Sequence, residues 1–252
     1  MTGGAAPLDG WATTSFTAAG ITRDVYRKGS GPGVVVVHEL PGITPAVEAF
    51  AEEVVAAGFT VVMPSLVGTP GRDISGGYTM RSLLQVCVSR EFTTWAMNRT
   101  SPIIAYLRAV ARHLHLEVGG PGVGAIGMCF SGGFALAMMV DETIAAPVLS
   151  QPSLPFAVGK KRSANLALSP DDALAVAQRA TDGCAVLGLR FTGDKMVGTR
   201  FATLRQTLGD AFQAVEFPSA HKMDHSVLTE HRQQAGVERV LAFLNERLAA
   251  TA

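Results

Sequence analysis

The chain has 252 residues, 48% hydrophobic and 17% charged, which suits a large folded core and excludes disorder and disulfide-stapled mini-protein scaffolds. Lys plus Arg and Asp plus Glu balance at 21 each, so no net field draws the protein to nucleic acid or an anionic membrane. Three cysteines, an odd and sparse count, argue against a disulfide framework and fit a reducing, cytoplasmic setting, and the opening MTGGAAPLDGW lacks the basic and apolar regions of a secretion signal.

In chain order, residues 1–30 or so read as a small antiparallel opening, with short β-type runs in Ser15–Lys28 on either side of Ala-Gly. GSGPG then breaks the chain before Val34–Val37, a run without alternation that describes a strand buried on both faces. Pro45–Gly58 has apolar residues three and four apart and a terminal Gly, the marks of a helix and its stop. Phe59–Pro64 is a second buried strand, and Tyr78–Val88 and Ile103–Leu116 carry helical spacing. Val123–Met128 predicts a strand, Ser131–Val140 a helix and Ala146–Leu149 a strand. Ser169–Gly183 predicts a helix with a Ser cap, Pro in its first turn and two acids at its positive end. Ala185–Phe191 and Ala214–Phe217 are strands, with helices at Arg200–Leu208 and Val237–Leu248.

Strand and helix taking turns over most of the chain predict one α/β domain across residues 1–252: a mainly parallel, doubly wound sheet with helices on both faces. Residues 69–77 and 151–167 are the pattern-poor stretches, and 151–183 is expected to hold a loop or cap insertion near a site. Val118–Val140 runs 23 residues without a charge, the length of a membrane span. Its seven glycines and Pro121 divide it into strand, turn and helix instead, so no membrane segment is expected.

Chemistry concentrates at VGAIGMCFSGG (Val123–Gly133). An apolar strand runs into Gly127-Met128-Cys129-Phe130-Ser131 and then a helix, the pattern of a nucleophile elbow with Cys in the usual Ser position. Such a turn strains the nucleophile's backbone, so the positions two residues either side must be small. It aims the sulfur at the positive helix end, where thiolate and developing oxyanion are favoured and the Phe130 N–H can donate. The overlapping Gly122-x-Gly124-x-x-Gly127 spells a dinucleotide fingerprint, but that motif needs its strand before the first Gly, and here the strand lies inside it.

A nucleophile of this kind takes an acid and then a His from the ends of later strands. Asp194 follows the strand ending at Phe191, and PSAHKMDHSVL after Phe217 offers His221 and His225 as bases. The four-residue His spacing resembles a zinc helix, but Lys222 stands in place of the required Glu and Pro218 and Ser219 indicate a loop, so no metal is expected.

On four places, VVVVHELPGI, GFTVVMPSLVG, GMCFSGG and TGDK with its downstream HSVL, the chain resembles the dienelactone hydrolases over nearly its whole length. This is the cysteine-nucleophile branch of the α/β-hydrolases. The resemblance implies a carboxylic ester hydrolase of the carboxymethylenebutenolidase type, acting on a small ester or lactone through an acyl-enzyme and needing no metal or organic cofactor. It implies Cys129 as nucleophile, Asp194 as acid and His225, followed by the small Ser226, as base. It further implies Glu39 beside the resting cysteine, taking the thiol proton when substrate binds, and the amides of Leu40 and Phe130 as oxyanion donors. A free thiol with a pKa of about 8.5 is only a few per cent ionised at neutral pH, and a carboxylate alongside suppresses the thiolate further unless it takes the proton itself.

Two departures bear on substrate. The family's arginine shortly after the His is absent: Thr229 stands four residues after His225, and Arg232 comes only later. Pro64–Leu66 lacks the Asp usual there. Arg90 and His221 are the candidates for substrate contact, with Arg81 and Arg99 as further cations. Residue reading alone leaves open a non-catalytic ligand binder on the same fold, or a thioesterase or acyltransferase on the same three residues. It is silent on oligomeric state.

Overall fold

The computed structural model describes residues 8–88, 101–157 and 159–249. The antiparallel opening is β1 (Ala12–Ala18) and β2 (Ile21–Lys28), paired from Ala12 opposite Arg27 to Ala18 opposite Ile21. Ala19 and Gly20 join them with φ of 51° and 75°, the left-handed values of a tight hairpin turn. There follow β3 (Gly33–Val37), α1 (Pro45–Ala56), β4 (Thr60–Pro64), α2 (Gly76–Val88), α3 (Pro102–Val118), β5 (Val123–Met128) and α4 (Gly132–Met138). The last third holds β6 (Ile144–Ser150), the short α5 (Gly159–Ser163), α6 (Pro170–Thr181), β7 (Val186–Phe191), α7 (Arg200–Leu208), β8 (Phe212–Phe217) and α8 (Gln234–Leu248).

One eight-stranded sheet results, in the order β1-β2-β4-β3-β5-β6-β7-β8. β2 runs antiparallel to β1 and β4, and every pairing from β4 to β8 is parallel. The unalternating valines are explained by two covered faces. Val34 and Val36 pack with Phe50 and Val54 of α1 and Phe243 and Leu244 of α8. Val35 and Val37 pack with Leu107 and Leu114 of α3 and Phe134 of α4. All four valines are fully buried, and at roughly 1.5–3 kcal/mol per buried aliphatic side chain they make β3 a strong centre for the sheet.

The predicted elements recur with shifted ends. β1 begins before Ser15, β6 is longer at both ends than Ala146–Leu149, and a 3₁₀ turn, Cys129–Ser131, occupies the start of the helix expected at Ser131. The Ser169 cap is present, its Oγ accepting from the Asp172 N–H at 3.1 Å. The uncharged run is cut into turn, β5, 3₁₀ turn and α4, and no helix among the described residues is long and apolar enough to cross a membrane.

Parallel β3, β5, β6, β7 and β8 all finish at the same sheet edge. The residues just past them, including Glu39, Cys129, Ser153, Asp194 and His225, therefore gather there, as sites do in open parallel sheets.

Candidate active site

β5 ends at Met128, and Cys129 has a φ of 54°, a left-handed value that a non-glycine residue adopts only under constraint. The steric demand falls unevenly on its neighbours. A Cβ at Gly127 would sit 2.1 Å from the Ser131 carbonyl oxygen, so that position admits glycine alone. Ser131, two residues on the other side, keeps its side chain and uses it. Its buried Oγ accepts from the Met128 N–H at 2.9 Å and lies 2.9 and 3.0 Å from the Val37 and His38 carbonyl oxygens, within donating distance of either. One hydroxyl thus ties the elbow to the end of β3, where Leu40 follows. The Cys129 sulfur is partly exposed, with Ser153 Oγ at 3.3 Å.

His225 and Asp194 arrive from the loops after β8 and β7. Both are buried, and His225 Nδ1 lies 2.6 Å from Asp194 Oδ2. Asp194 Oδ1 accepts from the Met196 N–H at 2.9 Å, which orients the carboxylate. His225 Nε2 is buried without an oxygen or nitrogen partner among the described residues. Burial disfavours the imidazolium, but interactions with Cys129 and with Asp194, each through charge and through a hydrogen bond, outweigh it and hold the His225 pKa above the usual histidine range.

Glu39 is buried and wrapped in neutral donors. The Thr229 hydroxyl donates to Oε1, while Oε2 accepts from Ser226 Oγ at 2.7 Å and Gln151 Nε2 at 3.2 Å. Burial pushes its carboxyl above the ordinary range, while Thr229, Ser226 and the His225 charge pull it back. No hydrogen bond among the described residues joins Glu39 to Cys129; the polar groups beside the sulfur are Ser153 and the His225 imidazole.

Four supporting residues escape a reading of the sequence. His38 is fully buried, and burial lowers its pKa to about 4, so it is neutral at ordinary pH. Its Nε2 accepts from the Leu66 N–H at 3.0 Å, which leaves Nδ1–H to donate to the Glu39 carbonyl 2.8 Å away and locks the backbone before Leu40. Gln151 follows the end of β6 with a φ of 34° and bridges Glu39 to Val227, whose N–H donates to Gln151 Oε1 at 3.2 Å. Arg200 is 1% exposed and spends its guanidinium on carbonyl oxygens: Pro155, Arg162 and Asn165 on one side, Met196 and Val197 on the other. Ser153 is the fourth. For His38, Gln151 and Ser153 the signal is position just past a strand at the site edge; Arg200, at the start of α7, carries none.

His221 lies on an exposed turn held by its own N–H donating to Asp224 Oδ2 at 2.8 Å, beside a surface cleft of about 230 Å³ with Lys195 and Lys222. Its ring makes no contact with the Cys129 sulfur among the described residues. Arg81 is exposed on α2 and lines a hollow with Arg72 and Tyr78. Arg90 and Arg99 lie outside the described residues. No group of three or more His, Cys, Asp or Glu among the described residues could hold a metal ion.

Sheet order, the elbow after β5 and the residues past β7 and β8 define an α/β-hydrolase. The dienelactone hydrolase family profile matches residues 21–244, and the chain belongs to that family. No curated protein matches. Among solved structures it is similar to a Klebsiella pneumoniae subsp. pneumoniae protein named as a candidate dienelactone hydrolase, with 20% identity and a TM-score of 0.65, over 94% of this chain and 98% of that one. It is similar to a dienelactone hydrolase from Anabaena variabilis at 15% identity and TM-score 0.62, covering 94% and 98%. A cold-adapted esterase from an Arctic intertidal metagenomic library shares 17% identity and a TM-score of 0.61, covering 94% and 93%.

Proposed function

We propose that this ester hydrolase works through Cys129, His225 and Asp194 and an acyl-thioester intermediate. The observation that carries the reading is His225 itself: one nitrogen is bound to a buried acid at 2.6 Å, and the other is buried without an oxygen or nitrogen partner among the described residues and interacts with the elbow sulfur. The resemblance gives the thiol proton to Glu39, but Glu39 is taken up by Ser226, Thr229 and Gln151 and makes no hydrogen bond to the sulfur among the described residues. In this reading His225 Nε2 therefore takes that proton, and the sulfur attacks the ester carbonyl carbon to form a C–S bond. The Phe130 and Leu40 amides receive the oxyanion; the Leu40 N–H donates to no acceptor among the described residues. Collapse breaks the ester C–O bond, and the leaving oxygen takes the proton from His225. Water then gives a proton to His225 and attacks the thioester, and carboxylic acid and thiol are released. Asp194 keeps Nδ1–H in place throughout.

The substrate we favour is an uncharged ester or lactone. Thr229 holds the place where the resemblance leads one to expect an arginine, and its hydroxyl is turned inward onto Glu39. A carboxylate-bearing dienelactone would find no cation there. Turnover of p-nitrophenyl acetate tests the reading: Cys129→Ala abolishes it, and His225→Ala loses about 10³-fold or more while His221→Ala stays near wild type. Full activity in Cys129→Ala, or a larger loss in His221→Ala, would overturn it.

A further inference from the structure

We infer that Ser153 is a positioning residue for the nucleophile, its hydroxyl donating a hydrogen bond to the ionised sulfur of Cys129. The inference rests on Cys129 being the nucleophile and concerns a group outside the triad. Ser153 meets Cys129 twice: its N–H donates to the Cys129 carbonyl oxygen at 3.0 Å, and its Oγ lies 3.3 Å from the sulfur. It is 2% exposed, and the sulfur is the polar partner of its hydroxyl among the described residues. Either group can donate while the thiol is neutral; once the sulfur is ionised, only the Ser153 hydroxyl can.

The backbone that carries Ser153 is fixed on three sides. Gln151 leaves β6 in a left-handed conformation, its N–H donating to the Leu189 carbonyl at 2.7 Å and its side chain bridging Glu39 and Val227. Pro152 lies directly on the elbow: a Cβ added at Gly132 would meet Pro152 Cα at 2.7 Å. The carbonyl of Pro155 accepts from Arg200, which also grips Met196 and Val197 beside Asp194. The hydroxyl is therefore delivered by rigid backbone rather than by a free loop.

The titratable groups around the sulfur are His225, with Asp194 behind it, and Glu39 beyond Ser226 and Gln151; none of them hydrogen-bonds Ser153. Ser153 changes no proton count in the reaction. His225 still takes the thiol proton, and the Ser153 O–H only shares its hydrogen with the resulting thiolate, loosening as the sulfur bonds to carbon. A donor to the charged form favours that form, and it also makes the sulfur a weaker nucleophile.

These opposed effects give a test that packing damage does not mimic. In Ser153→Ala the pH of half-maximal Cys129 alkylation by iodoacetamide should rise by about one pH unit, the size expected for losing one hydrogen bond to a charged group. Thiolate then falls about tenfold at low pH while its intrinsic reactivity rises about threefold, so alkylation is about threefold slower below the midpoint and about threefold faster on the high-pH plateau. Curves that cross in this way establish the role. Superimposable curves, or uniform slowing at every pH, overturn it. Retained ester turnover in Cys129→Ala would instead defeat the catalytic reading, so the two failures are distinct.

Discussion

Two buried carboxylates serve the same small site and are stabilised by different means. Asp194 faces an imidazole at 2.6 Å and a single backbone N–H, so its charge is answered mainly by the group it orients. Glu39 meets only hydroxyls and an amide, with His225 acting on it through space rather than through a bond. A carboxylate facing an imidazole stabilises the imidazolium as it forms and holds its tautomer. One held by neutral donors serves as a fixed element whose ionisation is costly, as the upward push of burial on Glu39 records.

The contrast breaks most visibly at Asp194. Asp194→Asn keeps the shape but lets His225 take the wrong tautomer, and kcat should fall by about 10⁴-fold with little change in the far-ultraviolet spectrum. A loss under tenfold would mean that His225 is held by something else. Next in size is Thr229→Val, which removes the donor to Glu39 Oε1 and leaves a buried carboxylate short of a partner. Denaturant unfolding should report about 2 kcal/mol of lost stability, and no loss would show that Glu39 is already neutral.

The smallest effect sharpens the comparison through pH. The Glu39 pKa is raised in the folded chain, so the folded state holds this proton more tightly than the unfolded one. Its contribution to stability is present at acidic pH and declines as pH rises through the ordinary glutamate value to the folded one. Glu39→Gln removes that decline, and its melting temperature relative to wild type should climb across the window. A variant whose melting temperature falls relative to wild type as pH rises would reverse the sign assigned here.

Much of this architecture was readable in advance because it rests on local pattern. Four consecutive valines can only be a strand covered on both sides, and the Gly127–Ser131 spacing marks a turn that sterics restrict severely. Asp194 stands out by its place after a strand, whereas chain order leaves His221 and His225 open and only the resemblance singles out His225. The hidden part comes from contacts across the fold. Arg200 opens a helix reading RFATLRQTL, where an arginine passes for a solvated one, yet it is among the most buried side chains present. Ser153 sits in QPSLP, which carries no periodicity, and Thr229 acquires meaning only when it is seen to reach Glu39. Glu39 was singled out by resemblance, but its neighbours could not be: Gln151 comes from more than a hundred residues away.

Arg200 also bears on how such a protein can change over generations. All five oxygens it grips belong to peptide groups, so its hold is blind to which amino acids supply them. The stretches above the nucleophile and beside the acid are free to exchange outward side chains such as Phe156 and Met196, each 40% exposed, without releasing the clasp. Their lengths and paths are not free. Exchange among those outward side chains therefore leaves the framework around the site in place, because the arginine holds it through peptide groups alone.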